Sequence, residues 1–554
     1  MDLNDFFSSL KGKSIEQANK ETERICGIVD FFETAEYAVP KKVEQENRAE
    51  YGDWQTNFEL AYRICLLLKD RGVTPDVIIE PTCGTGTFIL ASIMVFGKTV
   101  RDIYGIEIYK PYLDELKIRL LDYALKNPGT INCRIRLIRQ SVFSFNFDSL
   151  AIPQEKKVLV VGNPPWVTNS KLSATNSNNL PRKSNFKNIK GIGAITGKAN
   201  FDIAENITYQ LLRCFHNHDT CLAFLIKNSV AKNIVYGQRN GGYNIEHMTQ
   251  YNIDANKEFG VSVAACLFVA KLGAGRARRC DLTDLYSLTP PSVYGWVDDC
   301  FVSNVADYMK YSGIDGQCQL TWWSGLKHDC SRVMELESKD GRFHNNLGEA
   351  VDIEPDLIYP LLKSSDLKKP EVASARKYVI VTQKSTSDAT DIIKIRQPRT
   401  YDYLERHSSW FDQRGSVIYN NRPRYCIFGI GAYSFKEYKI AIAGLCKSTS
   451  FSLVKPIAGK CVMLDDTCYL LGFDDEETAA CFLKVLNSDI VQSFLKSLVF
   501  VDTKRSINKD LLMRIDLEKA AKQLYEAEYI SMQEYDLVNS YIQTNHPHQL
   551  RLFA

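Results

Sequence analysis

Through the first half of the chain, short apolar runs alternate with longer stretches of helical periodicity. Val77 to Ile79 is a β-branched run closed by Glu80, PTCGTG turns the chain, and from Phe88 onward apolar residues recur at helical spacing. DIYGIE (102–107) repeats the arrangement and ends on Glu107, with a helical pattern running on to about Leu121. A third strand falls between Asn132 and Val142, and a fourth is VLVVG (158–162). Strands that alternate with helices predict an α/β fold, a Rossmann-like doubly wound parallel sheet. Further along, KANFDIAENITYQLL (198–212) reads as a helix, and CLAFLI (221–226) and VSVAACLFVAKL (261–272) read as strands. Beyond about residue 290 the periodicity becomes mixed, which predicts a separate α+β domain. The expected partition is an N-terminal helical extension (1–49), an α/β domain (50–290), a linker (291–329) and a C-terminal domain (330–554).

The strand ends carry the chemistry. Gly84 and Gly86 form a G-x-G turn between a strand and a helix, where backbone can approach a ligand with the helix N-terminus behind it. The spacing differs from the G-x-G-x-x-G of a dinucleotide fold. Glu107, at the end of the second strand, is placed to accept both hydroxyls of a ribose. After the fourth strand comes Asn163-Pro164-Pro165-Trp166. Two prolines can neither extend the strand nor start a helix cleanly, so they make a rigid corner where α/β proteins hold ligands.

That corner suits a definite reaction. The exocyclic amine of adenine is a poor nucleophile because its lone pair is delocalised into the ring. Two acceptors on its N–H groups pull it toward tetrahedral geometry, and the Asn163 side-chain oxygen and the Pro164 carbonyl could supply them. The prolines limit reorganisation at the transition state. Trp166 offers a ring on which a planar base can stack. The amine becomes more acidic as it is alkylated and can lose its proton to water, so alignment is the main requirement.

In their order, EPTCGTGTF, GIEIY and GNPPW closely resemble the motifs of the gamma-type DNA adenine-N6 methyltransferases of restriction–modification systems, which are class I enzymes dependent on S-adenosylmethionine. The resemblance covers roughly residues 50–272 and includes YGDWQTNFELAYRI (51–64), KANFDIAENITYQLL and VSVAACLFVAKL. It implies a cofactor site formed by Thr56, Glu80, Pro81, Gly84, Gly86, Glu107, Ile108, Ser141, Val142, Asn163 and Pro165. It also implies a catalytic loop of Asn163, Pro164, Pro165 and Trp166, with Phe268 pressing on a flipped-out adenine from the face opposite Trp166. The chain departs from the family in two respects. Gln140 and Ser141 stand where an acidic residue usually meets the cofactor adenine, and Trp166 replaces the more usual Tyr, which excludes any role for a phenol. The C-terminal region is similar to the family's target-recognition regions at IYPLLKSSDL (358–367), RPRYCIFGIGAYSFKEYKIAIAGL (422–445) and LNSDIVQSFLK (486–496). Residues 330–554 are therefore expected to recognise double-stranded DNA.

Composition adds limits. The chain is 45% hydrophobic and 24% charged, as a globular protein is, and its net charge of +2 requires any basic surface to be local. Segment 170–198 has several lysines and no acidic residue, and Lys183, Lys187 and Lys190 are candidate phosphate contacts. Arg399, Arg422 and Arg424 lie in a second basic segment interleaved with aromatics. Cys214, His216, His218 and Cys221 have metal-like spacing but straddle a helix end and a strand, so packing rather than zinc is expected. No signal pattern or long apolar run appears, and the cysteines form no C-x-x-C pair. The expectation is a cytoplasmic protein with reduced thiols, associated with the nucleoid through DNA and with no membrane partner. Any endonuclease is expected on a separate polypeptide. Methylation of RNA or of another planar amide or amine, and a catalytically silent DNA-binding subunit, stay open as alternatives.

Overall fold

The computed structural model describes residues 1–35, 37, 55–167, 202–240, 242–445, 448–500 and 506–545, in two compact units, Met1–Phe301 and Val302–Ala554. Lys183, Lys187 and Lys190 lie outside the described residues.

The first unit is built on a ten-stranded sheet of order β10-β9-β8-β6-β7-β5-β4-β1-β2-β3. Its parallel half comprises β1 (Val77–Glu80), β2 (Asp102–Glu107), β3 (Arg134–Arg139), β4 (Val158–Gly162) and β5 (Thr220–Lys227). Strands β1 and β4 are buried along their whole length, as continuous apolar runs demand when both faces of a sheet are covered. Past β5 the sheet becomes mixed. Strand β7 (Ala265–Leu272) inserts antiparallel between β5 and β6 (Ile245–Ile253), and β8 (Arg279–Asp284) pairs parallel with β6.

Among the described residues, this unit has eight α-helices. They are α1 (Leu3–Ser9), α2 (Ile15–Cys26), α3 (Phe58–Asp70), α4 (Thr87–Phe96), α5 (Lys110–Lys126), α6 (Ile203–Phe215), α7 (Asn228–Gly237) and α8 (Ala255–Phe259). The N-terminal helices are part of this core rather than an appendage. After α2 the chain bridges to β3 at Ile28 and Ile135, and Lys117 of α5 donates to the Phe31 carbonyl at 2.7 Å. The expected linker also belongs largely to folded elements. Ser292–Val297 and Cys300–Val302 are β9 and β10 of the sheet, and the units divide between Phe301 and Val302.

The second unit holds a six-stranded and a five-stranded sheet, with helices Glu476–Leu486, Asp489–Leu498, Leu517–Glu526 and Met532–Asn545 toward its end. Its strands are short and mostly antiparallel, which explains the mixed periodicity.

Gly86 caps α4 with φ +76°, and a Cβ there would lie 2.0 Å from Cδ1 of Leu116, a buried residue of α5. Gly129 has a similar φ of +78° but nothing within 4 Å. Gly129→Ala should therefore cost only the left-handed backbone penalty of about 1–2 kcal/mol. Gly86→Ala should cost more, because Leu116 must also move. Denaturant unfolding of the two variants measures the difference, and equal losses would contradict this packing.

Candidate active site

The carboxyl ends of β1, β2 and β4 converge at one edge. The turn after β1 is tied down by the Cys83 amide, which donates to the Ile106 carbonyl at 2.9 Å. Glu107 accepts from the Gly84 amide at 3.0 Å and from the Tyr109 amide at 2.8 Å, so its carboxylate fastens the glycine turn to the end of β2. Thr85 donates to Gln55, and Arg119 of α5 donates to the Thr85 carbonyl at 2.7 Å and to its hydroxyl at 3.0 Å. Pro81 is buried under the turn and Ile108 is 39% exposed beside it.

Glu80 is buried at 3% exposure, and its Oε2 has no hydrogen-bond partner among the described residues. Burial pushes its carboxyl well above the usual carboxylate range, and the nearby Glu107 charge adds to the rise. A Cβ at Gly162 would sit 3.4 Å from Glu80 Cγ, so the acid lies under the start of the Asn163 turn.

Asn163 is half-buried, and its Nδ2 donates to Thr56 Oγ1 at 3.2 Å. One residue on, Asn57 caps α3 by accepting from the Leu60 amide at 2.7 Å. Pro164 is buried and Pro165 half-buried. At the third strand, Ser141 is half-buried and the Val142 side chain is buried, with the Val142 carbonyl accepting from Gln210 at 3.0 Å. Gln140 folds back onto the Ser144 carbonyl at 3.1 Å.

The aromatic residues differ from expectation. Trp166 presents no open stacking face: it is 5% exposed and its Nε1 donates to the Leu225 carbonyl at 3.0 Å. Its neighbour is Phe259, edge-on with ring centroids 5.0 Å apart and planes at 70°. Phe268 is wholly buried opposite Phe224 in the middle of β7. Side chains alternate along a strand, and Ala265 and Leu267 share the core that holds Trp166, so Phe268 projects from the other face of the sheet. The ring that faces Trp166 is that of Phe259, at the end of α8. Its signal in the sequence was an aromatic residue directly before a helix-ending glycine, Gly260, which has φ +69°.

Another feature that sequence reasoning missed lies beside the Asn163 turn. Lys227, the last residue of β5, pairs with Asp202 at 2.7 Å, and Asp202 caps α6. The Ile203 amide donates to the Val167 carbonyl at 2.9 Å, so the pair steadies the outgoing end of the turn.

In the second unit, two of the three expected DNA-contacting arginines are exposed but ion-paired to carboxylates of the same unit. Arg399 donates to Asp352 at 2.9 Å and lies 3.5 Å from Glu354, while Arg424 donates to Asp412 at 3.0 Å and lies 3.6 Å from Glu405. Arg422 is exposed. Spacing along the chain reveals positive charge but not the carboxylates that fold back onto it.

No protein-family model matches the chain. The Type II methyltransferase M.NspV of Nostoc sp. (strain ATCC 29411 / PCC 7524) is 39% identical over 480 residues, covering 86% of this chain and 98% of that protein. Among solved structures, the Type IIL restriction-modification enzyme MmeI in complex with DNA aligns with a TM-score of 0.50 at 12% identity, over 89% of this chain and 71% of its own. The type IIG restriction endonuclease BpuSI aligns over 90% of this chain and 67% of its own, with a TM-score of 0.36 at 14% identity. The sheet and its carboxyl edge define a class I methyltransferase fold, as expected from the sequence. The chain belongs to the Type II methyltransferases, whose methyl donor is S-adenosylmethionine. No helix among the described residues is long and apolar enough to cross a membrane.

The residues at this edge fit that donor. The unpartnered Oε2 of Glu80 suits a cationic donor such as an α-ammonium group, and the Glu107 carboxylate beside the glycine turn suits hydroxyl donors such as those of a ribose.

A carboxyl whose folded pKa is raised contributes stability at pH below the ordinary carboxylate range, and that contribution is lost as pH climbs through the raised value. Glu80→Gln should therefore make the cofactor-free protein more stable than wild type at neutral pH, with the gap widening from pH 5 upward. The same change should weaken cofactor binding by about 1.5–3 kcal/mol, the scale of a charge-assisted hydrogen bond. Thermal unfolding across pH and calorimetry with S-adenosylhomocysteine check both effects. Parallel stability curves for the two proteins would contradict the assignment.

Proposed function

We propose that the protein is a site-specific DNA methyltransferase that modifies the N6 amine of an adenine extruded from the duplex. The observation that carries the reading is the Asn163 turn at the end of β4, hydrogen-bonded to Thr56 and set directly over Glu80. S-adenosylmethionine supplies an electrophilic methyl group on a sulfonium leaving group. Glu80, Glu107 and Thr56 orient the donor, and the Gly84–Gly86 turn lets backbone approach it. Because the amide nitrogen of Asn163 bonds Thr56, its Oδ1 is the end that would accept from the adenine amine, with the Pro164 carbonyl taking the second N–H. Those two acceptors raise the amine's nucleophilicity toward the methyl carbon, and water takes the released proton.

Trp166 and Phe259 bound the base-binding position. A base stacked between two rings needs roughly 7 Å, twice a van der Waals separation of about 3.5 Å. The two rings now touch edge to face, so the base enters as Phe259 moves off the indole. Residues 330–554 read the target sequence. Arg422 is available for phosphate or base contact, whereas Arg399 and Arg424 must first exchange their carboxylate partners.

Asn163→Ala should lower single-turnover methyl transfer by about 10²–10³-fold, the scale of a lost transition-state hydrogen bond, and leave DNA affinity little changed. Phe259→Ala should weaken retention of the extruded base by about 1–3 kcal/mol of stacking. Phe268→Leu should affect stability alone. Rapid-quench assays with tritiated donor on methylatable duplex separate these effects. Near-wild-type transfer by Asn163→Ala would sink the mechanism.

A further inference from the structure

We infer that Glu258 is a positioning residue that couples cofactor binding to the aromatic ring guarding the base position. The inference rests on the methyltransferase reading above. Glu258 immediately precedes Phe259 in α8. One of its carboxylate oxygens, Oε2, accepts from Asn57 Nδ2 at 2.8 Å, and the other, Oε1, accepts from the Tyr286 hydroxyl at 2.7 Å. Asn57 in turn follows Thr56, whose hydroxyl holds Asn163. Two short chains of contact therefore leave the same dipeptide. Thr56 leads to the catalytic amide, and Asn57 leads through Glu258 to the ring that covers Trp166.

The brace is built to hold a position. Asp254 caps α8 by accepting from the Asn256 and Lys257 amides, both at 3.1 Å, and Gly260 ends the helix. Lys257 and Arg63 lie 5.3 and 5.6 Å from the centroid of the Tyr286 ring. Tyr286 and Asn57 thus grip the Glu258 carboxylate from two sides, and Asn57 is itself fixed as the cap of α3. A ligand that orders Thr56 and Asn57 also fixes Glu258. A base that displaces Phe259 pulls on the same carboxylate. The two binding events then share one structural element, which is the physical requirement for coupling.

The test measures coupling rather than activity. Full-length protein is titrated with a duplex bearing 2-aminopurine at the methylated position, with and without S-adenosylhomocysteine. The ratio of the two affinities is the coupling factor, and about fivefold or more is expected for wild type. Asn57→Asp keeps the cap on α3 but replaces the donor to Glu258 with a carboxylate, so the factor should fall to within about twofold of unity. Adding Glu258→Gln restores a donor–acceptor pair with the polarity reversed, and the double variant should recover most of the wild-type factor. Calorimetric affinity for S-adenosylhomocysteine alone should stay within about twofold in all three proteins. A factor unchanged in Asn57→Asp, absent in wild type, or not recovered in the double variant would overturn the proposal. Failure of the underlying reading would look different, as wild-type protein that transfers no methyl group to adenine.

Discussion

Strands β1 and β4 lie side by side and run in the same direction, with Val77 opposite Val158 and Ile79 opposite Val160. The segments that follow them must leave through the same edge of the sheet, and everything at the site depends on that. The pairing sets Glu80 beneath Gly162 and brings the Asn163 turn above it without any long side chain reaching across. Because both strands are fully buried, the register is held by the core on either face.

The electrostatics of that edge are unbalanced. Glu80 and Glu107 bring two acids close together, and Glu107 is satisfied by the Gly84 and Tyr109 amides while Glu80 Oε2 is not. A buried oxygen without a donor costs stability, so the fold keeps this arrangement at a loss. Opposite it, the prolines hold the Asn163 turn stiff, and the Lys227–Asp202 pair steadies its outgoing end. The Glu80 side of this edge is thus shaped by unmet polar demand and the Asn163 side by backbone rigidity.

Much of this fold was legible in the sequence for a physical reason. Buried parallel strands must be continuous apolar runs, and the residues that end them, Glu80, Glu107 and Asn163, break the pattern sharply. The features that escaped depend on side-chain direction or on distant partners. Phe268 sits in a conspicuous strand, but alternation turns it away from Trp166, and Phe259 from a five-residue helix takes that place. Arg399 and Arg424 stood out by charge, while the carboxylates that pair with them, Asp352 and Asp412, lie 47 and 12 residues away along the chain. The expected linker was a region of weak periodicity, and the strands there, β9 next to the edge of the sheet and the three-residue β10 at the edge itself, produce little periodicity to read.

The central claim is that the turn after β4 presents an adenine amine to a methyl donor. Its most direct test is to map modified bases in DNA from a host that lacks other adenine methyltransferases and expresses the full chain. The account predicts N6-methyladenine at one short, recurring sequence. N4-methylcytosine in place of methyladenine, or no base modification from a folded protein that binds the cofactor, would contradict it.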